Sequence, residues 1–176
     1  MKLEIRPGLY IRDIEENDIG SIVTYADNIK ISGNLRDSFP FPYTVDDAEA
    51  WLSVINDCNP KRSFAIACDN NFIGAIGIEP CRDVNRYAGE LGYWLAEPFW
   101  GKGITTDAVK VFIKYVFEYY DLIKIFAYVF SSNPASGRVL EKAGFLLEGN
   151  LRNQIVKSGK VLDQLVYGIL KEEVLP

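Results

Sequence analysis

Hydrophobic residues recur along this chain at two different periods, and each change of period marks an element. Val109, Phe112, Ile113, Val116, Phe117 and Tyr120 follow i, i+3, i+4, i+7, i+8, i+11, with Lys110, Lys114 and Glu118 on the opposite side. That pattern predicts one long amphipathic helix from about Gly101 to Tyr120. Ile123 to Phe130 is apolar at every position except Lys124, as expected of a central strand buried on both faces. A short helix from Pro134 to Ala143 follows, closed by Gly144 as C-cap. Phe145 to Val156 and Val161 to Leu170 then read as strands paired around Lys157-Ser158-Gly159-Lys160.

The amino-terminal half is read in the same way. Tyr10 to Ile14 predicts a first strand, after which Asn17 or Asp18 caps a helix carrying Ile19, Ile22, Val23 and Ala26. Phe39-Pro40-Phe41-Pro42-Tyr43 cannot be regular helix, because its prolines lack an amide donor and fix φ. Thr44 caps a second helix with Ala48, Trp51, Leu52 and Ile55 on one side, and Asp46 and Asp47 complement its positive end. Phe64 to Cys68 and Phe72 to Glu79 flank the hairpin signal Asp69-Asn70-Asn71, and Tyr87 to Ala96 forms a further strand. Antiparallel hairpins followed by strand-helix-strand-helix-strand-strand predict an α+β fold with one mixed, mostly antiparallel sheet and helices on its faces. With 176 residues and no repeat or linker, residues 1–176 are expected to form a single domain.

Composition narrows the chemistry. The chain has no histidine, which excludes a Ser-His-Asp or Cys-His pair, a His-ligated zinc and a histidine general base. Cys58, Cys68 and Cys81 form no C-x-x-C and read as reduced core or near-core thiols, so no metal is expected. Nineteen basic and twenty-four acidic residues leave a net charge of −5, which argues against nucleic acid or an anionic membrane as partner and suits a small or cationic one. The N-terminus lacks an apolar signal core and no apolar run approaches membrane-span length, so a cytoplasmic protein is expected.

The segment Gly89 to Thr106 runs from strand through a tight loop into the start of the long helix. Gly101 and Gly103 allow unusual φ values and close approach of a ligand to the backbone, and the first helix amides have no intrahelical partner. That geometry suits a pyrophosphate. On residues alone, the segment reads equally as a phosphate-binding loop or as a glycine-assisted turn before a helix. It contains neither G-x-x-x-x-G-K-[ST] nor G-x-G-x-x-G, since Thr106 stands where the third glycine would be.

Four motifs in order then resemble the GNAT N-acetyltransferases: Glu90-Leu91-Gly92-Tyr93-Trp94-Leu95, Trp100-Gly101-Lys102-Gly103-Ile104, Asn133-Pro134-Ala135-Ser136, and Glu141-Lys142-Ala143-Gly144-Phe145. The resemblance covers residues 9 to 170 and is greatest to the branch that acetylates N-termini (alanine or serine) of ribosomal proteins. It implies a sheet splayed between its fourth and fifth strands to admit the pantetheine arm of acetyl-CoA. The cofactor-binding residues it implies are Trp94, Leu95, Gly101, Lys102, Gly103, Ile104, Thr105, Thr106 and Asn133. The chain departs from the family pattern at Trp100, where Gln or Arg is frequent, and at Thr105, where Gly or Ala is frequent. Neither side chain removes the backbone amides, and Trp100 is expected to pack under the loop.

Acetyl transfer from a thioester to an amine needs a neutral nucleophile, a stabilised oxyanion and a proton for the thiolate. Without histidine, a carboxylate acting through water is the natural base. Strand alternation places Glu90, Gly92 and Trp94 on one face, and the small Gly92 leaves room beside Glu90. Glu90 is therefore the first candidate and Asp163 a weaker second. Asn133 before Pro134 is a good helix cap. In the family the residue at its position contacts coenzyme A, and the serine matching Ser136 lies near the thioester sulfur. Many members use a tyrosine as general acid where this chain has Leu140, so Ser136 is assigned a hydrogen-bond or water-relay role. The oxyanion donor would be the backbone amide of Trp94 or Leu95, and the Phe39 to Tyr43 segment resembles the family's loop over the acceptor.

The expected activity is acetyl-CoA-dependent N-acetylation, with catalytic Glu90 and Ser136, by direct transfer in a ternary complex. The acceptor is a primary amine, either a protein N-terminus or a small molecule; a homodimer is compatible with the sequence but not derivable from it. The alternatives are a non-catalytic acyl-CoA-binding module of the same fold and a domain for another nucleotide.

Overall fold

The computed structural model describes residues 1–175. Among these described residues are eight strands and six helices, with three short 3-10 turns. The strands are β1 (Lys2–Arg6), β2 (Leu9–Arg12), β3 (Ser63–Cys68), β4 (Asn71–Pro80), β5 (Ala88–Leu95), β6 (Lys124–Phe130), β7 (Leu146–Lys157) and β8 (Lys160–Leu170). The helices are α1 (Ile19–Ala26), α2 (Ile29–Ser32), α3 (Val45–Asn56), α4 (Ile104–Tyr119), α5 (Pro134–Ala143) and α6 (Lys171–Val174). Strand order in the sheet is β1-β2-β3-β4-β5-β6-β8-β7, with β5 and β6 parallel and the other described pairs antiparallel. By their contacts the residues form two compact units, and β4, β5 and α4 contribute to both.

The first unit comprises Met1–Gly77 and Tyr93–Ala108. Its core joins Ile22 and Ala26 of α1, Ala48, Leu52 and Ile55 of α3, and Ala65, Phe72 and Ala75 of the sheet, with Trp94 packed against them. Thr44 caps α3 as the sequence predicts, in a reciprocal arrangement with Asp47. The Asp69 and Asn70 turn takes consecutive left-handed φ values of 46° and 71°, as a two-residue hairpin requires.

Three expectations for this unit are corrected. The first strand is Leu9–Arg12 rather than Tyr10 to Ile14, and a strand precedes it. β1 pairs with β2 at the sheet edge, and its alternating Lys2-Leu3-Glu4-Ile5-Arg6 pattern buries no residue fully, so its apolar signal is weak. Asp18 does not cap α1 through its side chain. Its carboxylate instead receives both Arg12 guanidinium nitrogens at 2.8 Å and the Glu15 amide at 2.9 Å. Both Arg12 and Asp18 are buried, and a buried ion pair persists only where further bonds satisfy its remaining atoms. Arg12 meets that condition through the carbonyls of Asp13 and Asn70.

The second unit comprises Ile78–Gly92 and the chain from Val109 onward. The buried stripe predicted for α4 is present: Val109, Phe112, Ile113, Val116 and Phe117 are buried, and Tyr120 follows just past the helix. α5 begins and ends at the predicted residues, with Gly144 left-handed at its C-cap. It packs closely on β8, where a side chain at Gly137 would meet the Tyr167 hydroxyl at 2.8 Å. β6 is central, between β5 and β8, but the expectation that both its faces are buried fails. Ile125, Ala127 and Val129 are buried, whereas Phe126 is half-buried and Tyr128 exposed. Phe126 and Tyr128 instead contact one another edge to face at 5.4 Å.

Candidate active site

In the first unit, the end of β5 and the start of α4 form one continuous construction. Gly101 and Gly103 have φ of +73° and +75°, a region that side-chain-bearing residues rarely adopt. A Cβ at either position would meet nothing within 4 Å, so the turn opens onto free space rather than packing into the protein. The Gly103 carbonyl accepts the Asp107 amide at 3.1 Å, which makes Gly103 the residue that starts α4. A glycine has no side chain to cap with, so the amides of Ile104, Thr105 and Thr106 have neither an intrahelical acceptor nor a cap from that position.

The turn is braced from behind by Trp100 and Lys102, which the sequence singled out for other roles, and by Arg6, which it did not. The Trp100 indole N–H donates to the Leu95 carbonyl at 2.6 Å, and Trp100 remains 43% exposed. Trp100 is thus more exposed than the expected packing role implies, and its hydrogen bond fixes the end of β5. The Lys102 ammonium folds back to the Pro98 carbonyl at 3.0 Å and lies 5.4 Å from the Phe99 ring centroid. Arg6 reaches the Lys102 carbonyl at 3.2 Å and the Asp107 carboxylate at 3.5 Å. Arg6 stands 96 residues before Lys102, and no local pattern announces such a contact.

The main chain of β5 also separates the two proposed oxyanion donors. The Ala96 amide donates to the Ile73 carbonyl at 2.8 Å, so Ala96 faces β4. Alternation then turns the N–H and C=O of Leu95 to the opposite edge and those of Trp94 toward β4. The Leu95 carbonyl bonded by Trp100 and the Trp94 carbonyl lying against Gly74 both agree with this. The Trp94 side chain is held by Phe72 and Phe39, with centroids at 5.5 and 5.9 Å. Phe39 in turn contacts Tyr43 at 5.0 Å, so the proline-rich segment packs its aromatics onto the core while leaving Phe41 exposed. Burial pushes the Tyr43 hydroxyl up to about 12, with Asp47 adding to it.

In the second unit, β5 and β6 share ladder pairs only over Ala88–Glu90 and Lys124–Phe126. β6 continues to Phe130 paired with β8 alone. The strands counted fourth and fifth from sequence are β5 and β6 here, because β1 shifts the count. Glu90 stands at the last shared pair, opposite Phe126, and is half-buried. A Cβ at Gly92 would meet nothing within 4 Å, in keeping with room beside Glu90. Asn133 caps α5, its side-chain oxygen accepting the Ser136 amide at 3.3 Å, and Ser136 itself is half-buried. Leu140 is fully buried, so the position where many family members carry a tyrosine is a core position here.

Asp163, the second candidate base, is engaged structurally. Its carboxylate accepts the Asn153 amide at 2.9 Å and the Asn150 side chain at 3.1 Å, and the amide bond chiefly holds its carboxyl below the usual range. It pins the bulge between Leu151 and Ile155, where Asn153 is left-handed. A carboxylate so stabilised in its charged form is a weak base.

No group of three or more His, Cys, Asp or Glu side chains among the described residues is arranged to hold a metal. Among them, too, no helix is long and apolar enough to cross a membrane.

A strand that shares three ladder pairs with its neighbour is thus followed by a turn through left-handed glycines into a helix start that Gly103 has no side chain to cap. A model of the acetyltransferase (GNAT) domain matches residues 8–146, and the chain belongs to that family. It is 31% identical over 167 residues to the SPbeta prophage-derived uncharacterized N-acetyltransferase YokL of Bacillus subtilis, covering 94% of this chain and 91% of YokL. Spermidine N(1)-acetyltransferase of Escherichia coli is 25% identical over 167 residues, 94% of this chain and 87% of its own. Among solved structures, RimL, a ribosomal alpha-N-protein acetyltransferase in complex with coenzyme A, shares the fold with a TM-score of 0.86. It is 19% identical and covers 97% of this chain and 98% of its own.

Proposed function

We propose that this N-acetyltransferase moves the acetyl group of acetyl-CoA to a primary amine by direct transfer in a ternary complex, with residues 1–176 acting as one domain. The observation that carries this reading is the start of α4, where Gly101 and Gly103 hold a left-handed turn open to free space ahead of amides that no side chain at Gly103 can cap. Such amides suit a diphosphate, so the residues present fit the cofactor. Bound there, acetyl-CoA supplies the acetyl thioester.

The chain's own residues then have distinct tasks. Main-chain nitrogens from Gly101 to Thr106 grip the diphosphate. Asn133 contacts the cofactor with whatever capacity its capping bond leaves. The Leu95 amide, directed away from β4, polarises the acetyl carbonyl oxygen, and the Trp100 bond to the Leu95 carbonyl restrains the next peptide, Leu95–Ala96. Glu90 takes the proton from the incoming ammonium through water, since an amine with a pKa of about 8–10.4 must become neutral before it attacks. Ser136 donates a hydrogen bond, or relays a water proton, toward the departing sulfur.

The acceptor is a small amine or a protein N-terminus. Spermidine in the E. coli relative's name and the ribosomal protein substrate in RimL's are both primary amines, and a chain of net charge −5 suits a cationic acceptor. Three free, half-buried cysteines favour a cytoplasmic location. One observation favours a second reading, a non-catalytic acyl-CoA-binding module: buried Leu140 leaves no acid where many members have a tyrosine.

Calorimetry with acetyl-CoA, coenzyme A, ATP and NAD, followed by free-thiol release across a panel of amines, tests the proposal. Binding of acetyl-CoA with thiol release on at least one amine is expected. Binding without release across a broad panel favours the module, and preference for ATP or NAD overturns both.

A further inference from the structure

Within the first unit, one side chain joins the segment leading into the glycine turn to the helices that precede the proline-rich segment. The Glu97 carboxylate accepts the Asn28 side-chain amide at 2.8 Å and the Lys30 ammonium. Its backbone carbonyl accepts the Trp100 amide at 3.1 Å, one residue before Gly101. Asn28 is committed at both ends, because its side-chain oxygen accepts the Lys30 amide at 2.9 Å and so caps α2. Tyr25 of α1 adds an edge-to-face contact with Phe99 at 6.1 Å. Asn28 and Glu97 also line a cavity with Thr24, Tyr25, Asp27 and Pro98.

We propose that Glu97 is a positioning residue that couples the order of the phosphate-binding turn to α2 and the end of α1. The inference rests on the transferase reading above and deepens it. When backbone amides of the turn grip a diphosphate, the Trp100 to Glu97 turn loses freedom, and the same residue's carboxylate passes that restraint to Asn28 and Lys30. The link is suited to transmission rather than to static strength. Lys30 and Glu97 side chains are 62% and 37% exposed, and pairs so exposed add little stability. The link ends on a side-chain cap at α2 and on a backbone turn before Gly101.

Amide hydrogen exchange reads this directly, because the Ser32, Gly33 and Asn34 amides bond to the carbonyls of Asn28, Ile29 and Ile31 and exchange only when α2 opens. In the unmodified protein, saturating acetyl-CoA should slow these amides at least about fivefold, the low end of measurable coupling. In Glu97→Ala acetyl-CoA should still bind, at most about fivefold more weakly because the coupling is reciprocal, while the slowing disappears. Glu97→Gln, which still accepts from Asn28, should restore part of it, and Lys30→Met should behave like Glu97→Gln. Equal slowing in Glu97→Ala, or no slowing in the unmodified protein once acetyl-CoA has bound, would overturn the proposal. Loss of acetyl-CoA binding in a Glu97→Ala protein that melts normally would also overturn it, by making Glu97 a direct ligand. If the unmodified protein fails to bind acetyl-CoA, the transferase reading falls and takes the coupling with it.

Discussion

Two helices of this chain begin behind a tight turn, and the two beginnings are built in opposite ways. At α5 the turn is closed: Pro134 has no amide to satisfy, and both the side-chain oxygen and the carbonyl of Asn133 accept the Ser136 amide, at 3.3 and 3.2 Å. At α4 the turn is open. Gly103 offers only its carbonyl, to Asp107, and the φ values near +75° leave the approach free of side chains. The residues around that second turn, Trp100, Lys102 and Arg6, bond to its carbonyls or to those just before it, and leave the amide side alone. A start that satisfies itself serves packing first. Under the proposed function, one whose carbonyls are braced and whose glycine Cβ positions are open receives an anion from outside.

The contrast can be broken in several ways. The largest effect should come from Glu90→Gln, which separates proton transfer from cofactor grip. Turnover should fall by about 10²–10⁴, the usual range for a general base, with acetyl-CoA affinity unchanged. Steady-state kinetics beside calorimetry checks this, and unaltered turnover would move the base elsewhere. Gly103→Asp attacks the open turn with bulk and negative charge. Losing two charge-assisted hydrogen bonds of about 1.5–3 kcal/mol each should weaken acetyl-CoA by at least about a hundredfold. Unchanged affinity in the folded variant would remove the diphosphate from this turn.

Asn133→Ala attacks the closed turn. It should lower stability by about 1 kcal/mol, the value of a helix cap, and show as a lower melting temperature. Its effect on acetyl-CoA affinity should be smaller than that of Gly103→Asp. The smallest effect concerns Asp163. Its folded-state pKa lies below the ordinary 3.8, so its contribution is fully present above that value and is lost as pH falls through the depressed one. The Asn153 amide resonance should therefore titrate below pH 3.8, and its titration at or above that pH would contradict the assigned bond.

Much of this was legible in residue order, for identifiable reasons. The long helix, the Thr44 cap, the Asp69-Asn70 turn and the whole of α5 depend on contacts a few residues apart, and local pattern carries those. The glycine turn was visible as a motif, but only the three-dimensional structure shows the space at Gly101 and Gly103 to be open. What the sequence did not reveal depends on partners that no regular helix or strand spacing announces. Arg6 braces Lys102, Asp18 gives up its cap for Arg12, and Asp163 pins a bulge on the neighbouring strand. The choice of Leu95 over Trp94 as the amide facing away from β4 required the pairing of Ala96 with Ile73. β6 looked buried on both faces because Phe and Tyr count as apolar, yet Phe126 and Tyr128 partly cover each other rather than being covered.

A crystal structure of the protein with acetyl-CoA tests the central claim most directly. Diphosphate oxygens should lie at about 2.7–3.2 Å from main-chain nitrogens between Gly101 and Thr106, the ordinary hydrogen-bond range. A diphosphate bound at any other part of the chain, with those nitrogens facing only solvent, would contradict it.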